Sequence, residues 1–124
     1  MAMVSRLKYL EHQQLPGIQI MPLQRHVQGG KAQEVVVTIF PNAVIPRHTH
    51  SVDAEMIIVA GSGTLLTNDN NDGQSVSPGD LVSFEKERYH GFEAGDEGLI
   101  FISRNGGIVD DDQDHWDINF SDSG

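Results

Sequence analysis

The chain contains no cysteine. That absence removes disulfides, thiolate ligands and cysteine nucleophiles together, so any metal here is held by nitrogen and oxygen. Basic residues are scarce as well. Eight Lys and Arg stand against eighteen Asp and Glu, a formal charge of −10 at pH 7. Such a balance opposes phosphate backbones and anionic lipid, so neither nucleic acid nor a membrane is an expected partner. No apolar run approaches the roughly 20 residues that span a bilayer. Met1 to Leu10 lacks the apolar stretch and cleavage site of a secretory signal, and the expected location is the cytoplasm. A 3.6-residue apolar repeat is almost missing too, which argues against a helical core.

What is present is a set of short apolar runs. They are Gly17 to Leu23, Glu34 to Phe40, Ala54 to Ala60, Thr64 to Thr67, Leu81 to Phe84, His90 to Ala94 and Leu99 to Ser103. Rich in Val, Ile and Phe, they suit a pleated, half-buried surface. Between them lie "QGGK", "FPNAVIP", "AGSG", "NDNNDGQ", "SPGD", "EAGDEG" and "RNGG", which read as turns or loops. Seven or eight strands at this spacing, with thirteen glycines in 124 residues, predict one all-β domain, a sandwich or barrel. The amino-terminal "SRLKYLEHQQL" reads equally as a short helix or a strand arm. In the acidic tail, Trp116, Ile118 and Phe120 alternate, predicting a last strand after a solvated Asp110 to Asp114 loop. Residues 1–33 are thus expected as an arm, 34–104 as the barrel and 105–124 as the loop and last strand.

The stretch "PRHTHSVDAE", residues 46–55, carries the chemistry. On a strand, alternate side chains share a face, so His48 and His50 converge while Thr49 points away. Two imidazoles make half a metal site. Glu55 follows a short turn at "SVD", which can fold its carboxylate back toward them. A third imidazole is offered by His90, at the start of a run that follows the "PGD" turn. An isolated His-x-His pair is most often a surface feature, and Glu55 adds little by itself. The whole ordered set, with "GSG" and "SPGD" between, is what singles out these residues. His12, His26 and His115 have no ligand-like spacing and read as surface groups. Met56, Ile58, Phe84, Phe101 and Ile102 read as core or pocket wall. Strict alternation from His90 would aim Arg88 inward, toward a substrate carboxylate, unless a bulge breaks the count. The simpler reading is an exposed arginine between Glu85 and Glu87.

In that order the sequence resembles the cupin superfamily of small double-stranded β-helix, or jelly-roll, domains. "HTHSVDAE" matches the H-x-H-x4-E core of the first family motif, "VAGSG" its closing glycines, and Gly73-x4-Pro78-Gly79-Asp80 opens the second. His90 stands eleven residues after Gly79, where the second-motif histidine lies in many single-domain cupins. The likeness covers about residues 34–104. The leading glycine of the first motif is replaced by the "PNAVIP" loop, no asparagine follows His90 at the usual interval, and the proline common before that histidine is absent.

The resemblance implies a jelly-roll barrel with His48, His50, Glu55 and His90 as ligands of one divalent ion, iron, manganese, nickel, cobalt or zinc. It also implies a homodimer. Three functions follow. One is a metal-dependent enzyme on a small organic molecule, dioxygenase-like in the manner of quercetin or acireductone dioxygenases, with Glu55 doubling as catalytic proton acceptor and lyase or isomerase chemistry also open. The second is a non-catalytic module that binds or senses a small ligand or the metal. The third, a structural barrel with an empty site, would leave buried imidazoles without partners at an energetic cost. Because ligand imidazoles must be neutral, metal occupancy is expected to fall below about pH 6.

Overall fold

The computed structural model describes residues 2, 4, 7, 9–23, 34–104 and 118–120. Among them are nine strands and no helix: β1 (Leu10–Glu11), β2 (Ile18–Pro22), β3 (Glu34–Ile39), β4 (Val44–Thr49), β5 (Ala54–Thr67), β6 (Ser75–Val76), β7 (Leu81–Phe84), β8 (His90–Arg104) and β9 (Asn119–Phe120). The domain is therefore all-β, as the spacing of apolar runs predicts. The amino-terminal segment resolves into a strand, since Leu10 and Glu11 pair with Ile20 and Gln19 of β2. His26, His115, Trp116 and the Asp110 to Asp114 loop lie outside the described residues.

Every strand pair is antiparallel, and β8 is the hub. Its residues from Leu99 to Arg104 pair with β3, while Phe92 and His90 face Ile45 and His48 of β4. Along the other edge β5 pairs with both halves, from Glu55↔Arg104 to Thr67↔His90. Two long strands thus replace four expected short ones. "AGSG" and "EAGDEG" are not turns but the corner at which β5 and β8 bend together. Between Gly61↔Leu99 and Gly63↔Ala94 the register shifts, so β8 carries the extra residues of a bulge. Gly61 has φ +84°, and a Cβ there would lie 2.1 Å from the Gly98 carbonyl oxygen. Only glycine allows the two backbones to cross so closely.

Side-chain alternation then decides what is inside. The buried positions of β2 are Ile18, Ile20 and Pro22, and those of β3 are Val35, Val37 and Ile39. In the first half of β5 they are Ala54, Met56 and Ile58, and in the stretch of β8 from Leu99 to Arg104 they are Leu99, Phe101 and Ser103. Met56, Ile58 and Phe101 are interior as expected, while Ile102 is half-buried on the opposite face of β8. Burying an aliphatic or aromatic side chain stabilises by about 1.5–3 kcal/mol. A one-residue slip of any of these strands would turn its whole apolar set outward, so the register is firmly specified. Phe92 and Phe101 pack at a centroid distance of 4.9 Å beneath the far end of β4.

Candidate metal centre

β4 and β8 bring the histidines together. His48 is the cross-strand partner of His90, and His50 follows at the end of β4. The three side chains are 7%, 4% and 1% exposed in the order His48, His50, His90. Their ring centroids lie 4.5 Å (His48 to His90), 5.0 Å (His48 to His50) and 5.0 Å (His50 to His90) apart. One ring nitrogen from each lies within 4.8 Å of the others, a cluster able to hold an ion.

The local sequence explains this convergence. Between Ile45 and His48 the β4 register shifts against β8, placing a bulge at Pro46 and Arg47. Proline has no N–H to give to a ladder and is tolerated there. The bulge turns the Pro46 carbonyl to accept a hydrogen bond from Nδ1 of His48 at 2.8 Å. Opposite stands Gly91, where a Cβ would lie 2.3 Å from the Ile45 carbonyl oxygen and 2.8 Å from Pro46. On the other side, the loop before β8 is tied to the loop after β4. The Glu87 amide donates to the His50 carbonyl, and the Lys86 amide donates to Oδ1 of Asp53. Nδ1 of His90 donates to the Arg88 carbonyl at 3.1 Å, and Phe84 stacks on the His90 ring at 4.0 Å with planes 14° apart.

These carbonyl contacts fix the protons. A carbonyl only accepts, so Nδ1 of His48 and of His90 each carry hydrogen, and Nε2 keeps its lone pair. Burial, followed by the neighbouring charge of His90, pushes the His48 pKa down to about 3. Burial, followed by His50, lowers that of His90 to about 4. Both rings are neutral at pH 7, the state a metal requires. Nε2 of His90 is the one buried side-chain nitrogen or oxygen among the described residues without a hydrogen-bond partner. Leaving such an atom unsatisfied costs about 1–3 kcal/mol. A coordinated cation removes that cost, and the donor set therefore fits a divalent metal.

Glu55 is not part of the cluster. Strand β5 runs Ala54 buried, Glu55 exposed, Met56 buried, so the carboxylate lies on the outer face, in register with Arg104 and Ser83. The inward neighbour of the histidines on this strand is Met56, which lines the cavity. Arg88 is also outside: its side chain is 69% exposed and lies 3.9 Å from Glu85. The loop before β8, with Glu87 at φ +66°, breaks the alternation that would have aimed it inward.

The open cleft beside the triad measures about 530 Å3 with the solvent at its mouth counted in. Among the described residues its wall is aliphatic and aromatic, with two polar side chains besides the triad, His12 and Ser103. Spacing gives no signal for either residue. His12 is half-buried rather than a surface group, because β1 pairs with β2 and carries it to the cavity beside Phe120, 6.1 Å between ring centroids. Its Nδ1 accepts from the amides of Gln14 and Leu15, each at 3.2 Å. In the neutral ring the proton is therefore on Nε2.

The sequence profile described as Cupin domain matches residues 35–103. Among solved structures, the polyketide cyclase RemF from Streptomyces resistomycificus superposes with TM-score 0.68 at 21% identity, over 83% of this chain and 76% of that one. KdgF from Halomonas sp. gives 0.61 at 20% identity, over 77% and 83%. A cupin-2 domain protein from Rhodospirillum rubrum gives 0.64 at 18% identity, over 83% and 73%. At such identities the likeness is one of fold. No curated protein sequence matches the chain.

Proposed function

Because the chain belongs to the cupin domain family, we propose that it is a metal-dependent enzyme acting on a small organic molecule in the barrel cavity. The observation that carries this reading is the convergence of the three buried imidazoles, two of them with the proton fixed on Nδ1 by backbone carbonyls. His48, His50 and His90 hold the ion through neutral nitrogens. When bound, a divalent metal supplies Lewis-acid polarisation or, as iron, oxygen chemistry of the dioxygenase kind.

The chain's own residues do the rest. Apolar walls exclude water and press the ligand toward the triad, while three neutral ligands leave the ion its full positive charge for an anionic oxygen. With Glu55 on the outer face, proton handling passes to His12, a residue of the cavity wall whose neutral ring carries its proton on Nε2. The test is turnover by protein loaded separately with iron(II), nickel(II) and zinc(II). Oxygen uptake is followed with enediols and phenols, and isomerisation or cleavage by mass spectrometry. Activity lost in His48→Ala and lowered about 10²- to 10⁴-fold in His12→Asn, which still binds metal, is the expected result. A second reading, a ligand-binding module without turnover, is favoured by how few polar groups line the cavity among the described residues. It takes over when the loaded protein binds such molecules yet converts none.

A further inference from the structure

Among the described residues, the cavity wall contains one polar group outside the triad that packing does not explain. Ser103 is 3% exposed and lies in β8 between strand partners Val35 and Met56, two residues from the inward-facing Phe101. All three neighbours are apolar and, like Ser103, line the cavity. A valine or alanine would suit that position. Its hydroxyl makes no hydrogen bond to any described residue, whereas His12, the other polar residue of the described wall outside the triad, has its Nδ1 engaged by the β1–β2 turn. A hydroxyl that spends no hydrogen bond inside the protein keeps that capacity for whatever fills the cavity it lines.

The charge pattern narrows the partner. No Lys, Arg, Asp or Glu among the described residues lines the cavity. A ligand carrying a charged group against this described wall would find no opposite charge there, and burying a charge without one costs far more than burying a hydroxyl. At the triad itself the balance is reversed, because an ion held by three neutral imidazoles keeps its positive charge and favours an anionic donor.

We propose that the cavity binds an uncharged-bodied, largely apolar molecule that sets coordinating oxygens at the triad and a further hydroxyl or carbonyl against Ser103. Ser103 is then a specificity residue that touches the ligand. The inference rests on the metal-site reading above and adds to it the class of ligand and the residue that recognises it.

Three catechols, matched in size at position 4, test the proposal by calorimetry on zinc-loaded protein: 4-methylcatechol, 3,4-dihydroxybenzyl alcohol and 3,4-dihydroxybenzoate. Wild type binds the alcohol about fivefold tighter than the methyl compound, the size of one net hydrogen bond, and the carboxylate at least about tenfold more weakly than the alcohol. Ser103→Ala loses the preference for the alcohol, keeps its affinity for 4-methylcatechol within about twofold, and unfolds at an unchanged or higher urea midpoint. Equal binding of carboxylate and alcohol overturns the proposal. So does an equal loss for all three probes in Ser103→Ala, or a lowered midpoint, which would mean the hydroxyl is bonded within the protein. Zinc content, measured first on the same samples, separates the two claims. Absence of zinc from wild type defeats the metal-site reading and this proposal with it, whereas full zinc with the wrong probe pattern defeats this proposal alone.

Discussion

A single proton decides the state of each histidine. With pKa values pushed from 6.5 to about 3 for His48 and about 4 for His90, mainly by burial, the folded chain resists protonation that the unfolded chain accepts. Stability of the metal-free protein is therefore fully present above pH 6.5 and is lost as pH falls toward 4 and below. The urea midpoint at pH 5 should lie clearly under that at pH 7, and equal midpoints would contradict the burial of these rings. The same depression protects the site from proton competition. Equilibrium dialysis should find metal retained at pH 5 while the barrel is folded, lower than the limit of about 6 expected from ordinary histidine. His48 and His50 are legible in the sequence because period-two alternation needs no knowledge of the partner strand. Glu55 is misread because the turn at residues 51–53 interrupts the count, and the parity of β5 is set by its pairing with β7 and β8. A charged residue amid Ala54, Met56 and Ile58 is the one sequence signal that it faces out. His12 and Ser103 depend on strand pairing across the barrel.

At the scale of the element, the bulge in β4 and the glycine opposite it form one device. Gly91→Ala forces a Cβ against the Ile45 and Pro46 carbonyls, which hold β4 and aim His48. It should cost about 1–3 kcal/mol in urea denaturation and lower metal occupancy as well. Gly61→Ala meets the Gly98 carbonyl at the β5–β8 corner, away from the triad, and should destabilise without releasing metal from the protein that remains folded. Occupancy unchanged in Gly91→Ala would separate the bulge from the site. Strand-length runs are readable where apolar residues alternate, as in β2, β3 and β7. Corners are not: "AGSG" and "EAGDEG" have turn composition, but their glycines serve a close crossing inside continuous strands. The start of β4, "VIP", reads as loop because Pro46 demotes it, and the bulge removes that objection.

For the whole molecule, folding and metal binding are one equilibrium. The triad is assembled by β4 and β8, which pair directly while β3 and β5 hold β8 in the sheet, so no ligand pair of this geometry survives unfolding. A metal at one hundred times its Kd should add about 2.7 kcal/mol, raising the Tm by roughly 10 °C for a domain of this size, and a chelator should return it to the metal-free value. A Tm indifferent to both would mean that the ion, if bound, sits outside the fold. The lack of cysteine, plain in the sequence, already removes thiolate donors and leaves the ion to nitrogen and oxygen. Which donors converge is a property of the closed barrel. The most direct measurement is elemental analysis of protein purified without chelator or nickel resin, comparing wild type with His48→Ala, His50→Ala, His90→Ala and Glu55→Ala. About one iron, manganese, nickel, cobalt or zinc per chain in wild type and in Glu55→Ala, with none in the three histidine variants, is the predicted result. Metal retained without any one of the histidines, or lost with Glu55 alone, would contradict the three-histidine centre.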